Sequence, residues 1–287
     1  MEYDVSIIIV SYNTKNLLNN CINSIIKNTY NINYEIIVVD NNSRDGSVDM
    51  VKNQFNQVKV IENFENYGFA KANNIGIKEA KGKYLFFLNS DAILLNNAIK
   101  YFYDWMENNN LDNSIGAIGS YLLNTKREII HSYGNFPNFL NILKNEFINS
   151  QNNFELKIEE KEVDYITGAD LFIPRKVIDE IGFFDENFFL YYEETDLQKR
   201  MKDRGFKRIL ITEPKIIHLE GKSLKFSISK RIIFDKSKFI YLKKYNNKIS
   251  YFFFKHIYLF IRITKELIKR RYSILEIISY YKTILKI

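Results

Sequence analysis

Val5-Ser6-Ile7-Ile8-Ile9-Val10-Ser11-Tyr12-Asn13 opens the chain with a run of apolar, mostly β-branched residues that passes directly into a polar tip. The run has the length of a strand buried on both faces. The same construction recurs twice. Ile36 to Val39 meets Asp40-Asn41-Asn42-Ser43, and Tyr84 to Leu88 meets Asn89-Ser90-Asp91. Between these runs the apolar residues take a helical period: Leu17, Leu18, Cys21, Ile22, Ile25 and Ile26 share one face of a helix that Thr14 can cap. A second helix follows Asp45-Gly46 and a third runs from Phe69 to Ala80. Strand and helix therefore alternate through residue 89, which predicts an α/β fold with a largely parallel sheet.

In open α/β sheets ligands bind just beyond the carboxyl ends of the strands, so the three polar tips are expected to meet in one crevice. Turn and cap duties account for Thr14, Asn42 and Ser43 taken singly. They account less well for Asp40 and Asp91, each set directly against a buried apolar run. Beyond Asp91 the pattern gives a helix near Asn96 to Glu107 and a strand near Ile115 to Tyr121. The polar, weakly patterned stretch from Phe136 to Lys161 reads as an irregular connection. A strand-like Val163 to Ile173 then leads through Pro174 into a short helix ending at Gly182.

Charge divides the chain in two. The net charge is +7, but residues 222 to 287 hold 17 Lys or Arg against Asp235, Glu266 and Glu276, a balance of +14, which leaves −7 for the rest. The expected organisation is a catalytic domain over residues 1–223 and a basic, aromatic-rich helical tail over 224–287. One cysteine, Cys21, excludes a disulfide framework and reads as a small core residue. With an acidic, strand-like start in place of a basic leader, a cytoplasmic location is expected.

Phe183 to Leu197 joins a crowded aromatic loop to a helix start carrying Glu193, Glu194 and Asp196. Acids in a first helical turn complement the macrodipole. Leu197 and Met201 define the inward face, however, and Glu193 and Glu194 lie close to it, while Asp196 turns towards Arg200 four residues on. Inward carboxylates beside aromatics are costly unless used or paired, so the two read as a general base and a substrate hydrogen-bonding group. His218 ends a short apolar strand, Lys215 to Ile217. By itself it reads more readily as structural than as a metal ligand. The Gly221-Lys222-Ser223 run lacks the upstream glycine and spacing of a phosphate-binding loop.

Taken in order, these residues resemble family 2 of the glycosyltransferases, with the GT-A fold, and in particular its rhamnosyltransferase-like members. The resemblance covers about residues 3 to 223. Residues 5–13 resemble the family's first strand, and Val38 to Ser43 its second, whose aspartate contacts the nucleobase. Glu65-Asn66-Tyr67-Gly68-Phe69-Ala70-Lys71-Ala72-Asn73-Asn74-Ile75-Gly76 is similar to the signature lining the donor pocket. Asn89-Ser90-Asp91 stands where the family has its metal-binding Asp-x-Asp, with an amide in place of the first acid.

The resemblance implies an inverting transfer of a sugar, rhamnose by similarity, from a dTDP- or UDP-sugar to a hydroxyl of a glycan or lipid-linked acceptor in cell-surface polysaccharide synthesis. It implies a donor site of Ser11, Tyr12, Asn13, Asp40, Asn42, Asn66, Gly68, Phe69, Asn73, Asn89 and Ser90, with Asn89 acting through water or on the sugar. It makes Asp91 and His218 the ligands of Mn²⁺ or Mg²⁺, and Glu194 the base, with Glu193 and Asp196 as the other catalytic candidates. A catalytically inactive nucleotide-sugar or glycan-binding protein of the same fold is the alternative, and Asn89 is its best argument.

No apolar run in the tail approaches the length needed to span a bilayer. Its interleaved Lys, Arg, Phe, Tyr and Ile point to amphipathic helices on an anionic membrane surface, peripheral to the inner face of the cell membrane, or to helices packed on protein. Nucleic acid is not an expected partner, since the acidic half would repel phosphate. A dinucleotide oxidoreductase is disfavoured because no Gly-x-Gly-x-x-Gly follows the first strand.

Overall fold

A computed structural model of the 287-residue chain describes residues 2–111, 113–147, 158–219, 228–269 and 272–287. The expected alternation is present from the start: β1 (Tyr3–Ser11), α1 (Lys15–Asn28), β2 (Tyr34–Asp40), α2 (Ser47–Gln54), β3 (Val58–Glu62), α3 (Gly68–Glu79) and β4 (Gly82–Leu88). There follow β5 (Ala92–Leu94), α4 (Ala98–Asn109), β6 (Ile115–Ser120), β7 (Tyr133–Gly134), α5 (Phe139–Phe147), β8 (Lys161–Glu162), β9 (Tyr165–Ile166) and β10 (Asp170–Pro174). The chain continues through α6 (Arg175–Ile181), α7 (Glu193–Asp203), β11 (Lys207–Ile211), β12 (Ile216–His218), α8 (Ile228–Tyr245), α9 (Lys248–Lys269) and α10 (Ile274–Leu285).

Eight strands form one mixed sheet in the order β3-β2-β1-β4-β10-β6-β11-β8. β1 to β4 are parallel, β10 runs antiparallel to both β4 and β6, and β11 is parallel to β6. Alternate side chains of the central strands feed the two faces. Ile7, Ile9, Phe86 and Phe172 pack on one side with Leu18, Ile22 and Ile25 of α1, and Ile8, Val39, Phe87 and Leu171 pack on the other with Ala70 and Ala72 of α3. Cys21 is buried in the first layer, and burial pushes its thiol up, as befits a core residue.

Two local expectations change. The stretch taken as irregular contains α5, because Phe139, Ile142 and Leu143 pack against the tail, with the Phe139 and Phe254 rings stacked 4.4 Å apart. The Val163 to Ile173 segment is two strands, β9 and β10, broken at Thr167-Gly168-Ala169. The boundary expected at residue 223 and the Gly-Lys-Ser run lie outside the described residues.

The described tail is α8, α9 and α10. Their inner faces join Phe188 in a third apolar cluster that includes Phe239, Tyr241, Leu242, Phe254, Tyr258 and Ile284. Inside it Asp235 accepts hydrogen bonds from Lys238 Nζ (2.7 Å), Tyr280 (2.8 Å) and Tyr258 (3.0 Å) and pairs with Arg231 (2.7 Å). Burial opposes its ionisation, but Lys238 and Arg231 outweigh that and hold its carboxyl down at about 2. No helix among the described residues is long and apolar enough to cross a membrane.

Candidate active site

The first polar tip does more than cap a helix. Thr14 stands at the N-cap of α1, but its hydroxyl makes no cap bond: it lies 3.0 Å from Ser11 Oγ and donates to Ser90 Oγ at 3.2 Å. The tips of β1 and β4 are thereby tied together side by side, as their parallel pairing requires. Asn13 has a positive φ of 53°, and its backbone and side chain hold the second tip, donating to Ser43 Oγ and accepting from the Arg44 N–H.

A cavity of 640 Å³ opens beyond these strand ends, within the size range of small-molecule sites. It is lined by Tyr12, Thr14, Asn41, Asn66, Gly68, Phe69, Asn89, Ser90, Asp91 and His218 from the sheet side, and by Phe189, Leu190, Tyr191, Lys230 and Ile233 from the other. The first and third tips therefore meet here as expected. The second divides. Asn41 faces this cavity, while Asp40, Asn42 and Ser43 line a separate polar cavity of 340 Å³ with Arg44, Glu62 and Asn63. Asn41 stands between the two, donating to the Gly68 carbonyl at 3.0 Å and accepting from Asn63 at 2.9 Å. Asp40 is buried, which raises its carboxyl, although the Ser43 N–H donates to its Oδ2 at 2.7 Å.

Gly68 shows why the donor signature needs glycine there. Its φ is +77°, and a Cβ would fall 2.1 Å from the Phe189 carbonyl oxygen. That oxygen accepts from the Phe69 N–H at 2.7 Å, so the start of α3 is pinned to the aromatic loop. Asn66 accepts from the Gly68 N–H, Asn73 donates to the Phe69 carbonyl, and Asn74 exchanges hydrogen bonds with the backbone of Phe184 and donates to Glu186. Asn66, Gly68 and Phe69 reach the cavity, whereas the expected donor residues Ser11, Asn13 and Asn73 are not in its lining.

The Asn89-Ser90-Asp91 tip leads into β5, which pairs with β12 so that His218 sits opposite Ala92. This ladder carries His218 to the cavity: its Nε2 lies 3.2 Å from Asp91 Oδ1 and 3.2 Å from Asn89 Nδ2. Two ligands at right angles on a first-row or magnesium cation are about 3 Å apart, so Asp91 and His218 fit a divalent metal held between them. No group of three or more His, Cys, Asp or Glu suited to a metal occurs among the described residues. Asp170, which sequence reasoning passed over, is fully buried nearby. Burial raises its carboxyl to about 7 against the hydrogen bonds from Ser120 and the proximity of His218.

At the helix start, Tyr191 and Tyr192 both take φ of +70°, a left-handed pair without glycine. Such strain is held only where surroundings enforce it, and here it sets the angle at which α7 begins. Glu193 is 4% exposed, and burial followed by the charge of Glu194 pushes its carboxyl well up. Burial raises Glu194 to about 7. One buried oxygen of each carboxylate has no hydrogen-bond partner. Glu194 lies behind the cavity wall rather than in its lining. A Cβ placed on Gly168 would touch Glu194 Cβ at 3.6 Å and the ring of the wall residue Phe69 at 3.7 Å. Asp196, the third catalytic candidate, goes elsewhere: its oxygens are taken by Arg200 Nε (3.0 Å), Tyr245 (2.8 Å) and Lys244 (2.7 Å), a structural assignment.

Comparison with known proteins agrees with this architecture. Glycosyltransferase GlyG of Streptococcus pneumoniae is 37% identical over 120 residues, which is 41% of this chain and 40% of that protein. The UDP-Glc:alpha-D-GlcNAc-diphosphoundecaprenol beta-1,3-glucosyltransferase WfgD of Escherichia coli is 33% identical over 111 residues, 38% of this chain and 44% of that one. The chain thus spans less than half the length of these relatives. Among solved structures, mannosyltransferase PcManGT from Pyrobaculum calidifontis in complex with GDP-Man and Mn²⁺ superposes with a TM-score of 0.59 at 17% identity, covering 85% of this chain and 64% of that one. GalNAc-T7 with UDP, GalNAc and Mn²⁺ gives 0.60 at 18%, covering 84% and 50%. These likenesses establish the GT-A fold. The family model described as Glycosyl transferase family 2 matches residues 6–182, more than half of the sequence, and the chain belongs to that family.

Proposed function

We propose that the chain is a metal-dependent, inverting glycosyltransferase that moves a hexosyl unit from a nucleoside diphosphate sugar to a hydroxyl of a glycan or lipid-linked acceptor in cell-surface polysaccharide synthesis. The observation that carries this is the Asp91–His218 pair, 3.2 Å apart on the wall of a 640 Å³ cavity, with two protonation-shifted carboxylates behind the same wall. Asp91 and His218 would hold Mn²⁺ or Mg²⁺, which when bound offsets charge developing on the leaving diphosphate. Asn89 Nδ2 lies 3.2 Å from His218 Nε2, so this contact would give way when the nitrogen turns its lone pair to a metal. Asn66 and Phe69 offer the polar and apolar walls for the sugar nucleotide, and Tyr12 and Asn41 complete the floor. Asp40 and Asn42 would take the nucleobase only if the donor reached the second cavity past Asn41.

Glu194, which burial raises to about 7, is suited to accept the proton of the acceptor hydroxyl near neutral pH, and its own charge in turn helps keep the neighbouring Glu193 protonated. Attack from the face opposite the leaving group then inverts the sugar in a single displacement. For Glu194 to reach the acceptor, the Phe69 side of the wall must open.

The tail supports membrane contact. Phe252, Phe253, Ile257 and Phe260 are 56, 62, 48 and 74% exposed on one face of α9, and Ile274, Leu275 and Ile278 are exposed on α10. The only acids on these two helices are Glu266, which is buried, and Glu276, which is used in a capping box, so the exposed face is apolar and basic. A lipid-linked acceptor, the kind named for the WfgD relative, suits such a surface.

The purified chain is tested with UDP-glucose, UDP-N-acetylglucosamine, GDP-mannose and dTDP-rhamnose for Mn²⁺- or Mg²⁺-dependent release of the nucleotide. Release from one donor, rising with added lipid-linked acceptor, is expected. Binding of a donor without release or transfer would favour the inactive binding protein, for which Asn89 in place of an acid is the supporting observation.

A further inference from the structure

Lys230 is the only Lys or Arg among the described residues lining the main cavity, and it comes from the tail. Its helix is fixed over that cavity by neighbours on the same face. Ile233, one turn on, lines the cavity as well. The Phe234 ring meets Tyr191 and Tyr192 with centroids 5.4 and 5.5 Å away, and Ser237 Oγ donates to the Leu190 carbonyl at 2.8 Å. Residues 230, 233, 234 and 237 follow the helical i, i+3, i+4, i+7 spacing, so one stripe of α8 faces the cavity and the Leu190–Tyr192 segment of its wall.

A sugar nucleotide brings a doubly charged diphosphate to a cavity whose wall already carries the Asp91 carboxylate. A divalent cation neutralises the diphosphate but leaves the carboxylate uncompensated. When the glycosidic bond to the donor breaks, the departing phosphate oxygen gains a further negative charge. An ammonium group in the same cavity compensates the first and attracts the second, in surroundings where such interactions are stronger than in water.

We propose that Lys230 binds the diphosphate of the donor, so that α8 is a part of the active site and not only an attachment for the tail. This rests on the glycosyltransferase reading. The donor is preferred over a diphosphate-linked acceptor because Lys230 shares its cavity with Asp91, His218 and the Asn66–Phe69 signature.

The test measures binding of UDP, GDP and dTDP, and of the matching nucleosides, to the full-length chain in Mn²⁺ by calorimetry. The wild type is compared with Lys230→Met and Lys230→Arg. Lys230 is half-buried at the cavity rim, and unchanged thermal melting of the variants checks their folding. The expected result is that Lys230→Met weakens the preferred nucleoside diphosphate about tenfold or more, leaves the nucleoside unchanged and is largely rescued by Arg, as expected for a charge-assisted contact. In turnover assays the donor KM rises or kcat falls while the acceptor KM stays the same. Equal diphosphate affinity in wild type and Lys230→Met overturns the proposal, as does parallel loss of nucleoside and diphosphate binding, or an effect confined to the acceptor KM. If the wild type binds no nucleoside diphosphate, the glycosyltransferase reading itself falls and takes this one with it.

Discussion

The Tyr245 hydroxyl, at the end of α8, donates a 2.8 Å hydrogen bond to Asp196 Oδ1 in the first turn of α7, two residues from Glu194. The same carboxylate, fully buried, also takes Lys244 and Arg200. The tail is thus bolted to the helix start that carries the candidate base.

Asp196→Ala should destabilise the protein by about 1–3 kcal/mol, because it removes the buried acceptor of Tyr245 and leaves Arg200 and Lys244 only their other partners, the Ile181 and Phe183 carbonyls and Asp185. Tyr245→Phe should cost about 1 kcal/mol. Urea denaturation followed by circular dichroism gives both values. Turnover per folded molecule should fall much less for Tyr245→Phe than for Glu194→Gln; equal losses would return Asp196 to the list of reacting groups.

Glu194→Gln should lower turnover about 100-fold or more, the usual size of a general-base contribution. The wild-type rate should decline as pH drops below about 7, where Glu194 becomes protonated. Stability should move the other way. The folded state holds this proton more tightly than the unfolded chain, so the neutral carboxyl is tolerated at pH 4 to 5 and its ionisation is increasingly unfavourable as pH rises towards about 7. Burial of Glu193 adds in the same direction. Glu194→Gln should therefore melt higher than the wild type at pH 8, with the difference vanishing near pH 4.5. Scanning calorimetry at the two pH values checks this.

Chelation with EDTA should reduce nucleotide release to background, and Mn²⁺ or Mg²⁺ should restore it. Asp91→Ala and His218→Ala should each cut turnover about 100-fold and abolish the Mn²⁺ dependence of nucleotide binding while keeping the fold. Full metal-dependent activity in His218→Ala would remove it as a ligand.

Gly68→Ala should be among the more damaging single methyl additions. It combines a φ of +77° with a Cβ only 2.1 Å from the Phe189 oxygen, so either the loop or α3 must shift. A loss of about 1–3 kcal/mol is expected from such strain, together with weaker nucleotide-sugar binding, measured by thermal melting and calorimetry.

Replacing Phe253 and Phe260 by Asp should abolish flotation with liposomes rich in anionic lipid and leave release of nucleotide from a soluble donor unchanged, since both rings are exposed and neither lines the cavity. Binding that is insensitive to anionic lipid content would point instead to a protein partner on this face.

The alternation of buried strands and amphipathic helices from Tyr3 to Leu88 was legible in the residues because burial of a strand or helix face is written in local periodicity. The Asn89-Ser90-Asp91 tip and the paired glutamates were legible for a related reason: polar side chains set against apolar runs stand out locally. What lies opposite a given side chain is not local. Only the pairing of β5 with β12 brings His218 to Asp91 across 127 positions, and only the way Asn41 divides the second tip sends Asp40 to another cavity. Thr14 looked like a helix cap and serves Ser11 and Ser90 instead, while Asp196 looked like a neighbour of Arg200 and also anchors the tail. The amphipathic pattern of the last 60 or so residues announced helices with a face to cover; that one stripe of α8 lines the main cavity and delivers Lys230 to it was decided by packing between segments far apart in sequence.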